Sequence, residues 1–273
     1  MTDSNHNFDR DFDPDLNHNF YTVDTNSMCK YVTLQEYISF SQIKKSFSII
    51  NYNIRSFDRN YPSFSCGFAP LEMPIILCLT ETWFSPDSTS DIPGYLGYHV
   101  TRDGRSGGVS IYVNESFNSR ILVDFSYVNP TIEVCTIEVC VHNSVYIIIG
   151  IYRPHSDSIV NFTYHLSNFL DNSFFIGKTC ILLGDLNICL LKDDPAVLEY
   201  FNLLFSHHFS NVITKPTHFS AIDNVAPTLL DHIFVNGFLS YSCGIIDLDL
   251  TDHLPTYIHL NIDFYSPKNK ITI

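Results

Sequence analysis

Short apolar runs of strand length recur along the chain from residue 46 onward, and polar or turn-forming residues separate them. Such bounded runs are typical of buried strands, whereas apolar residues spaced three or four apart indicate a helix. Two helices are predicted. The first follows Ser156 or Asp157 and the second follows Asp194, and all three are suitable N-cap residues. No element is predicted for 55–70, and 86–97 is predicted as loop. The predicted strands are 47–52, 74–79, 109–113, 145–152, 181–183, 229–235, 244–250 and 256–262.

The stretch 131–140 consists of the pentapeptide Thr-Ile-Glu-Val-Cys twice in succession. Side chains alternate between the two faces of a strand, so an odd-numbered repeat moves Ile137 and Val139 to the face opposite Ile132 and Val134. One straight strand with a single buried face cannot bury both halves. The pattern therefore predicts a bulge or a strand break between them.

Most of the chemically informative residues follow or interrupt these apolar runs. Strands that stop at the rim of a sheet present their last side chains at fixed places, so several strand ends can assemble one site from distant residues. Carboxylates, carboxamides and a histidine at these strand ends indicate a site for a divalent metal and a phosphate ester. The motifs are Tyr52-Asn53-Ile54-Arg55, Thr80-Glu81-Thr82, Gly184-Asp185-Leu186-Asn187, Leu230-Asp231-His232-Ile233 and Thr251-Asp252-His253-Leu254-Pro255.

Asp185 and Asn187 are two residues apart, so their side chains share a face, and Gly184 allows a ligand or backbone to approach closely. An Asp that orients or deprotonates a water, beside an Asn that holds a phosphate oxygen, forms a hydrolytic pair. Taken alone, the tetrapeptide is also compatible with an ordinary turn.

Glu81 ends an otherwise apolar strand, where an unpaired carboxylate would be costly to bury. Mg²⁺ is a natural partner because it is held by one or two carboxylates while it keeps several waters, and Asn53 is the plausible neighbour. An ion pair with Arg55 or Arg153 is the alternative.

Asp252 and His253 are adjacent in sequence and so point in different directions, which allows one to serve a metal while the other faces a phosphate. Asp231 lies on a different predicted strand. If its carboxylate reaches His253, it fixes the tautomer of the imidazole and raises its basicity. A simple loop contact is the alternative for an isolated Asp-His pair.

As an ordered set, these motifs resemble the endonuclease/exonuclease/phosphatase superfamily, and within it the apurinic-type endonuclease domain of LINE-type non-LTR retrotransposons. The resemblance covers about residues 46–264 and also includes Gly107-Gly108 and Tyr152-Arg153-Pro154. It implies a four-layered α/β sandwich, with two mainly antiparallel or mixed central sheets flanked by helices. It also implies a Mg²⁺-dependent phosphodiesterase, with Mn²⁺ as a possible substitute, that nicks DNA and leaves a 3′-hydroxyl.

The resemblance also implies a role for each matching residue. Glu81 would ligate the metal with Asn53 and Asp252 near it, and Asp231 would orient His253. Tyr152, Asp185 and Asn187 would handle water and phosphate. Thr217 lies in a segment that resembles one near DNA, and Arg102 and Arg105 are candidates for phosphate contact, with solvated surface charges as the alternative. The chain has no aromatic-x-Asp-Asp polymerase motif, so we expect an endonuclease domain without reverse transcriptase.

Composition limits the partners. The formal net charge of −14 repels phosphate and makes tight nonspecific DNA binding unexpected.

The eight cysteines include no Cys-x-x-Cys pair, which favours reduced core thiols. We expect a disordered acidic leader over residues 1–27, one domain over 46–264 and a short tail over 265–273. An intracellular, nuclear or cytoplasmic monomer without a membrane segment is expected.

Three functions fit the sequence. A metal-dependent DNA endonuclease is favoured because each motif position keeps a chemically competent residue. A phosphatase or phosphodiesterase of the same superfamily acting on a small or lipid phosphate ester is the alternative that the acidic charge permits. An inactive relic or binding module is the third possibility.

Overall fold

The computed structural model describes residues 29–43, 46–68, 73–85, 87, 89–102, 106–222, 224–237 and 239–262. The strands are β1 Lys30–Thr33, β2 Phe47–Asn53, β3 Ile76–Thr80, β4 Tyr95–Val100, β5 Val109–Asn114, β6 Asn118–Ile121, β7 Tyr127–Val128, β8 Glu133–Val141, β9 Ser144–Tyr152, β10 Thr179–Asp185, β11 Phe209–Asn211, β12 Asp231–Asn236, β13 Tyr241–Asp247 and β14 Thr256–Leu260. The helices are α1 Leu34–Ile43, α2 Phe57–Phe68, α3 Ile159–Leu170 and α4 Pro195–Ser206.

Two mixed sheets form the centre of the molecule. The first has the strand order β1-β13-β14-β2-β3-β5-β4, and the second has the order β11-β12-β10-β9-β8-β6, with β7 added to β8. Each sheet contains a central parallel pair, β2 with β3 and β9 with β10, and antiparallel strands flank these pairs. The polar ends of the parallel pairs therefore lie at defined edges of their sheets.

Four layers result because each sheet buries both of its faces. The inner faces pack on each other, for example through Ile111 of β5 and Leu183 of β10. The outer face of the first sheet is covered by α1 and α2, and that of the second sheet by α3 and α4. The predicted four-layered α/β sandwich with mixed central sheets is confirmed.

The apolar stripe of α3 and the Asp-Pro start of α4 are as predicted. Asp194 caps α4 through a bond from the N–H of Ala196 to its carboxylate. The cap of α3 is Ser158 rather than Ser156 or Asp157. The carboxylate of Asp157 instead accepts a hydrogen bond from the Thr131 hydroxyl.

Helix α2 occupies most of the segment 55–70, for which no element was predicted. Its sequence contains Pro62 and Gly67, which disfavour a helix interior. Phe57, Phe64 and Phe68 are nevertheless buried on the first sheet, so tertiary packing overrides the local preference.

The predicted bulge or break in 131–140 is wrong, because β8 is continuous and pairs with β9 in unbroken register. Both faces of β8 are buried: Ile137 and Val139 face the other sheet, while Val134 packs with the helices. The apolar residues of the two halves can therefore lie on opposite faces without exposing either set to solvent, because an apolar residue is suitable on both faces of β8.

Smaller differences concern boundaries. β4 begins at Tyr95 inside the predicted loop, and β13 spans Tyr241–Asp247 rather than 244–250, so 248–250 lie outside the strand. Two elements, β1 and α1, precede residue 46, and β1 pairs with β13. The predicted leader and tail lie outside the described residues. Within the described chain, no helix is long and apolar enough to cross a membrane.

Candidate active site

Strand pairing brings the polar residues of the second sheet into one row. Asp185, the last residue of β10, pairs with Asp231 at the start of β12 on one side and with Tyr152 at the end of β9 on the other. In the first sheet, Asn53 at the end of β2 pairs with Thr80 at the end of β3, directly before Glu81. Because each apolar strand carries its polar residue at a terminal ladder position, sheet pairing alone places these side chains at one edge.

Asn53 joins the two sheets through its side-chain amide. Its Nδ2 donates to Glu81 Oε1 at 3.0 Å and to Asp185 Oδ2 at 2.8 Å. The hydroxyl of Tyr152 donates to the same Glu81 oxygen at 3.2 Å. Asn53 is completely buried. Four residues predicted as site residues are thus linked directly, and the hydrogen-bond donors to Glu81 are neutral groups rather than arginines.

Asp185 lies completely buried between the sheets. Burial raises the pKa of its carboxyl to about 7, with a further increase from Asp231 and Glu81, while His253 and Asn53 favour the charged form. Its Oδ1 accepts the backbone N–H of Asn187 at 3.1 Å. A carboxyl that titrates near neutral pH is suited to accept a proton from water.

His253 and Asp231 form a buried pair, as predicted from their motifs. The distance from His253 Nδ1 to Asp231 Oδ2 is 2.8 Å, and the hydroxyl of Thr217 donates to the same oxygen at 2.7 Å. Burial alone would lower the pKa of His253, but Asp231, followed by Asp185 and Asp252, outweighs it and raises the pKa to about 10. The imidazole is therefore a cation at neutral pH, oriented by Asp231.

Asn187 is fixed by the chain around Arg153. Its Nδ2 donates to the Arg153 carbonyl at 2.7 Å, and Arg153 Nη1 donates back to the Asn187 carbonyl at 3.2 Å. The backbone N–H of Arg153 donates to the Asp185 carbonyl at 3.0 Å. Arg153 is buried and serves to hold this turn, so the Tyr152-Arg153-Pro154 motif positions Asn187 beside Asp185.

Asp252 has cationic and polar partners in the structure. Arg55 Nη1 lies 2.5 Å and His218 Nε2 lies 3.4 Å from its Oδ2. Burial opposes ionisation, but His218 and Arg55 outweigh it and hold the pKa of Asp252 well below its usual range. Arg55 therefore pairs with Asp252. The ion pair between Arg55 and Glu81, which was the alternative from the sequence, is not formed.

Sequence reasoning missed two histidines of this site. His218 belongs to none of the motifs singled out in the sequence, yet its ring centroid lies 4.8 Å from that of His253. An isolated bridge between 218 and 253 creates this contact across 35 residues of sequence. The pKa of His155 is lowered mainly by burial. Glu81 acts to raise this pKa and His253 acts to lower it. In the sequence, the only indication that these two histidines belong to the site is that each lies next to a recognised motif.

The three residues predicted to bind substrate have different surroundings. Thr217 is completely buried behind Asp231, where its hydroxyl also accepts the backbone N–H groups of Leu230 and Asp231, so it supports the carboxylate. Arg102 is partly exposed and pairs with Glu133 at 3.0 Å. Arg105 lies outside the described residues.

Several oxygens at the site suit a hard cation. Asp231 Oδ1, Asp252 Oδ1 and Asn187 Oδ1 are buried and have no hydrogen-bond partner among the residues that the structure describes. Oxygens of Asp185, Asp231 and a nitrogen of His253 also lie within 4.8 Å of one another. Carboxylate and carboxamide oxygens are the ligands that Mg²⁺ and Mn²⁺ prefer, so this donor set fits a divalent metal.

Solved structures of DNA-processing proteins share the fold. The 3′-5′ exonuclease NExo from Neisseria meningitidis is 16% identical, with a TM-score of 0.61, and the match covers 79% of this chain and 100% of that chain. The endonuclease domain of TRAS1, a telomere-specific non-LTR retrotransposon, is 13% identical with a TM-score of 0.62, covering 79% and 98%. D. rerio TDP2, solved with a single-strand DNA product, is 18% identical with a TM-score of 0.56, covering 80% and 100%.

At these identities the likeness establishes the fold. No curated protein sequence matches the chain. The model of the endonuclease/exonuclease/phosphatase family matches residues 50–253, which span every strand-end motif from Asn53 to His253. The chain therefore belongs to the endonuclease/exonuclease/phosphatase family.

Proposed function

We propose that this protein is a divalent-metal-dependent DNA endonuclease of the retrotransposon type, which nicks one strand and leaves a 3′-hydroxyl. The observation that carries the proposal is the buried Asp185, held between Asn53 of one sheet and the His253–Asp231 pair. The TRAS1 endonuclease domain, which shares the fold, supports the retrotransposon assignment.

Glu81 would hold the metal, with Asn53 fixing the orientation of its carboxylate. The orphaned oxygens of Asp252 and Asp231 are further candidate ligands. Mg²⁺ is the proposed ion, and Mn²⁺ can substitute because it accepts the same oxygen ligands. A bound divalent ion would neutralise charge that develops on the phosphate.

Asp185 would accept the proton of the attacking water. Its pKa of about 7 leaves a substantial fraction ionised at neutral pH, and this matches the general-base role. The orphaned Oδ1 of Asn187 adjoins this carboxylate in the same turn and can accept the second hydrogen of the water. Both groups are fixed by neighbouring hydrogen bonds, so little reorganisation is needed.

His253 would donate a hydrogen bond to a phosphate oxygen. Its Nδ1–H is used by Asp231, which leaves Nε2–H of the imidazolium for the substrate. Burial, Glu81 and Asp185 raise the pKa of Tyr152, so its hydroxyl stays neutral and keeps donating to the Glu81 carboxylate. Charge-assisted donors in a buried site stabilise developing negative charge more than they would in water.

Nicking of supercoiled plasmid at low salt tests the proposal. Purified protein is incubated with Mg²⁺ or with EDTA, beside the variants Asp185→Asn and His253→Gln. Asp124→Asn is the matched control, because it makes the same chemical change at an exposed residue outside the site. We expect relaxed circles with Mg²⁺ from the wild type and from the control, and a loss of at least about 100-fold in both site variants.

The outcome that would contradict the proposal is a folded wild type that leaves the plasmid intact with both Mg²⁺ and Mn²⁺. Nicking retained by Asp185→Asn would instead refute the assigned base.

A phosphatase acting on phosphate esters is the second candidate, and the net charge of −14 favours it over an enzyme with a long DNA footprint. NExo, a fold neighbour with a TM-score of 0.59, has been solved as a 3′ phosphatase bound to a product DNA hairpin. A panel of phosphate monoesters and diesters separates the candidates. Turnover of monoesters without plasmid nicking would identify a phosphatase, and turnover of neither would indicate a relic or binding module.

A further inference from the structure

Trp83 is the only tryptophan of the chain, and it lies two residues after Glu81. Its side chain is 39% exposed, whereas the neighbouring Thr82 and Phe84 are buried. Phe84 anchors the segment by packing on the ring of Phe57, with centroids 5.0 Å apart. A large aromatic side chain is thus presented to solvent by a well-packed segment at the edge of the candidate active site.

The backbone of this segment is held in an unfavourable conformation. Glu81 and Trp83 have φ values of 53° and 59°, in the left-handed region that bulky residues rarely adopt. Three hydrogen bonds impose it: Trp83 N–H to the Gly107 carbonyl at 3.0 Å, Ser56 N–H to the Glu81 carbonyl at 2.8 Å, and Phe57 N–H to the Thr82 carbonyl at 3.0 Å. Strain of this kind persists where surrounding structure enforces it, and it is concentrated at functional sites.

Two arginines beside this segment are already paired with carboxylates. Arg55 is bound to Asp252, and Arg102 is bound to the buried Glu133. With a net charge of −14 as well, electrostatic attraction to a phosphate backbone is weak. A nucleic-acid substrate therefore needs another source of binding free energy near the candidate metal carboxylate.

Stacking of a base on an exposed aromatic ring supplies such a contact. Proteins that hold single strands stack successive bases on aromatic side chains, and each such contact adds to the attraction between basic groups and the phosphate backbone. A base can reach an aromatic ring in this way where it is unstacked from its own neighbours, as in a single strand or a locally opened duplex.

We propose that the indole of Trp83 stacks on an unpaired nucleobase next to the phosphate being cleaved, so that the substrate is a single-stranded or locally opened nucleic acid. The proposal rests on the function proposed above and names the class of substrate and one residue that binds it.

Fluorescence of the single tryptophan provides a direct test. The full chain is titrated in EDTA, so that nothing is cleaved, with a short single-stranded oligonucleotide and with an abasic sugar-phosphate strand of the same length. We expect quenching of Trp83 emission by the strand with bases and little quenching by the abasic strand. An intact duplex of the same sequence should quench less than the single strand.

Binding of a labelled strand by the variants provides the second measurement. We expect Trp83→Ala to weaken binding by about tenfold and Trp83→Phe to retain most of the affinity, because a phenyl ring still stacks. Tyr164→Ala is the matched control, since it removes an exposed aromatic ring from α3, and it should bind as the wild type does. Circular dichroism confirms that each variant is folded.

Several outcomes would overturn the proposal: no binding of any strand, binding without quenching, equal quenching by abasic and normal strands, or equal affinity of Trp83→Ala and the wild type. These results are distinguishable from failure of the proposed function. A wild type that binds with quenching but does not nick loses the nuclease assignment and keeps the stacking residue. A protein that nicks while Trp83→Ala binds normally keeps the nuclease assignment and loses the stacking residue.

Discussion

Replacement of Asp231 by asparagine should change the charge state of His253. In the structure, burial favours the neutral imidazole, and three carboxylates, with Asp231 first, reverse this preference. The pKa of about 10 lies roughly 3.5 units above the ordinary histidine value of about 6.5. At about 1.4 kcal/mol per unit, the surroundings favour the imidazolium by about 5 kcal/mol. Asp231 supplies the largest favourable share, so its neutralisation should let burial bring the pKa down to about 7 or below.

The titration can be followed by NMR of the imidazole Cε1–H group in metal-free protein between pH 5.5 and 9.5. The resonance of His253 is identified by its absence from the spectrum of His253→Gln. We expect no titration of His253 below about pH 9 in the wild type and a midpoint near or below neutrality in Asp231→Asn. Thr217→Val is the control, because it removes the other hydrogen bond to Asp231 Oδ2 without changing the charge. It should leave the raised pKa of His253 in place.

The pH dependence of the free energy of unfolding should follow from the same raised pKa of His253. A base whose pKa is raised in the folded state contributes stability that is fully present below the unfolded pKa of about 6.5 and is lost as pH rises toward 10. The wild type should therefore lose urea resistance between pH 7 and 9.5, and Asp231→Asn should lose less over this range. A His253 that titrates near pH 6.5 in the wild type, or that has the same pKa in both proteins, would refute the reasoning.

Three further predictions concern the support of the site. Gly184→Ala should destabilise the protein by about 3 kcal/mol or more, measured by urea unfolding, because the added Cβ would lie 1.7 Å from the Ile151 carbonyl oxygen and φ is +149°; a loss below about 1 kcal/mol would contradict this. Glu133→Ala should cost about 1 to 3 kcal/mol, since the Gly108 N–H that now donates to this carboxylate at 2.6 Å becomes unpaired, and unchanged stability would contradict it. Burial lowers the pKa of His232 to about 4, so its neutral form contributes stability that is present above about pH 6.5 and lost as pH falls. The wild type should lose about 2 kcal/mol more than His232→Gln between pH 8 and pH 5, and equal losses would contradict the buried neutral imidazole.

The parts of the site that were predictable from sequence are those placed by strand pairing. Asp185 and Asp231 stand at the ends of apolar runs, and a strand end defines where its last side chain lies even when the partner strand is unknown. The contact of Asp231 with His253 could be anticipated because the chemistry of each motif requires a partner of the other kind. These inferences need little knowledge of loops.

Contacts made by loops were not predictable. Arg55 pairs with Asp252, 197 residues away, because the turn after β2 takes positive φ values and turns the arginine toward the β13–β14 connection. His218 contacts His253 through an isolated β-bridge, which no periodic pattern in the sequence predicts. Helix α2 was missed for a related reason: its stability comes from aromatic packing on the sheet, and its own sequence disfavours a helix.

Backbone strain at the site has a consistent physical cause. Arg55, Ser56, Glu81, Trp83 and Asn187 all have positive φ, and each lies within three residues after the end of β2, β3 or β10. A chain that turns sharply at the end of a strand exposes its last polar side chains instead of continuing the ladder, and left-handed residues make such turns without glycine, at a cost of about 1 to 3 kcal/mol each. Because backbone hydrogen bonds join the turns after β2 and β3, neither can relax alone. The turns are thus fixed by the packing of the first sheet, while Asn53 connects them to Asp185 of the second, so the geometry of the site depends on the two sheets remaining docked.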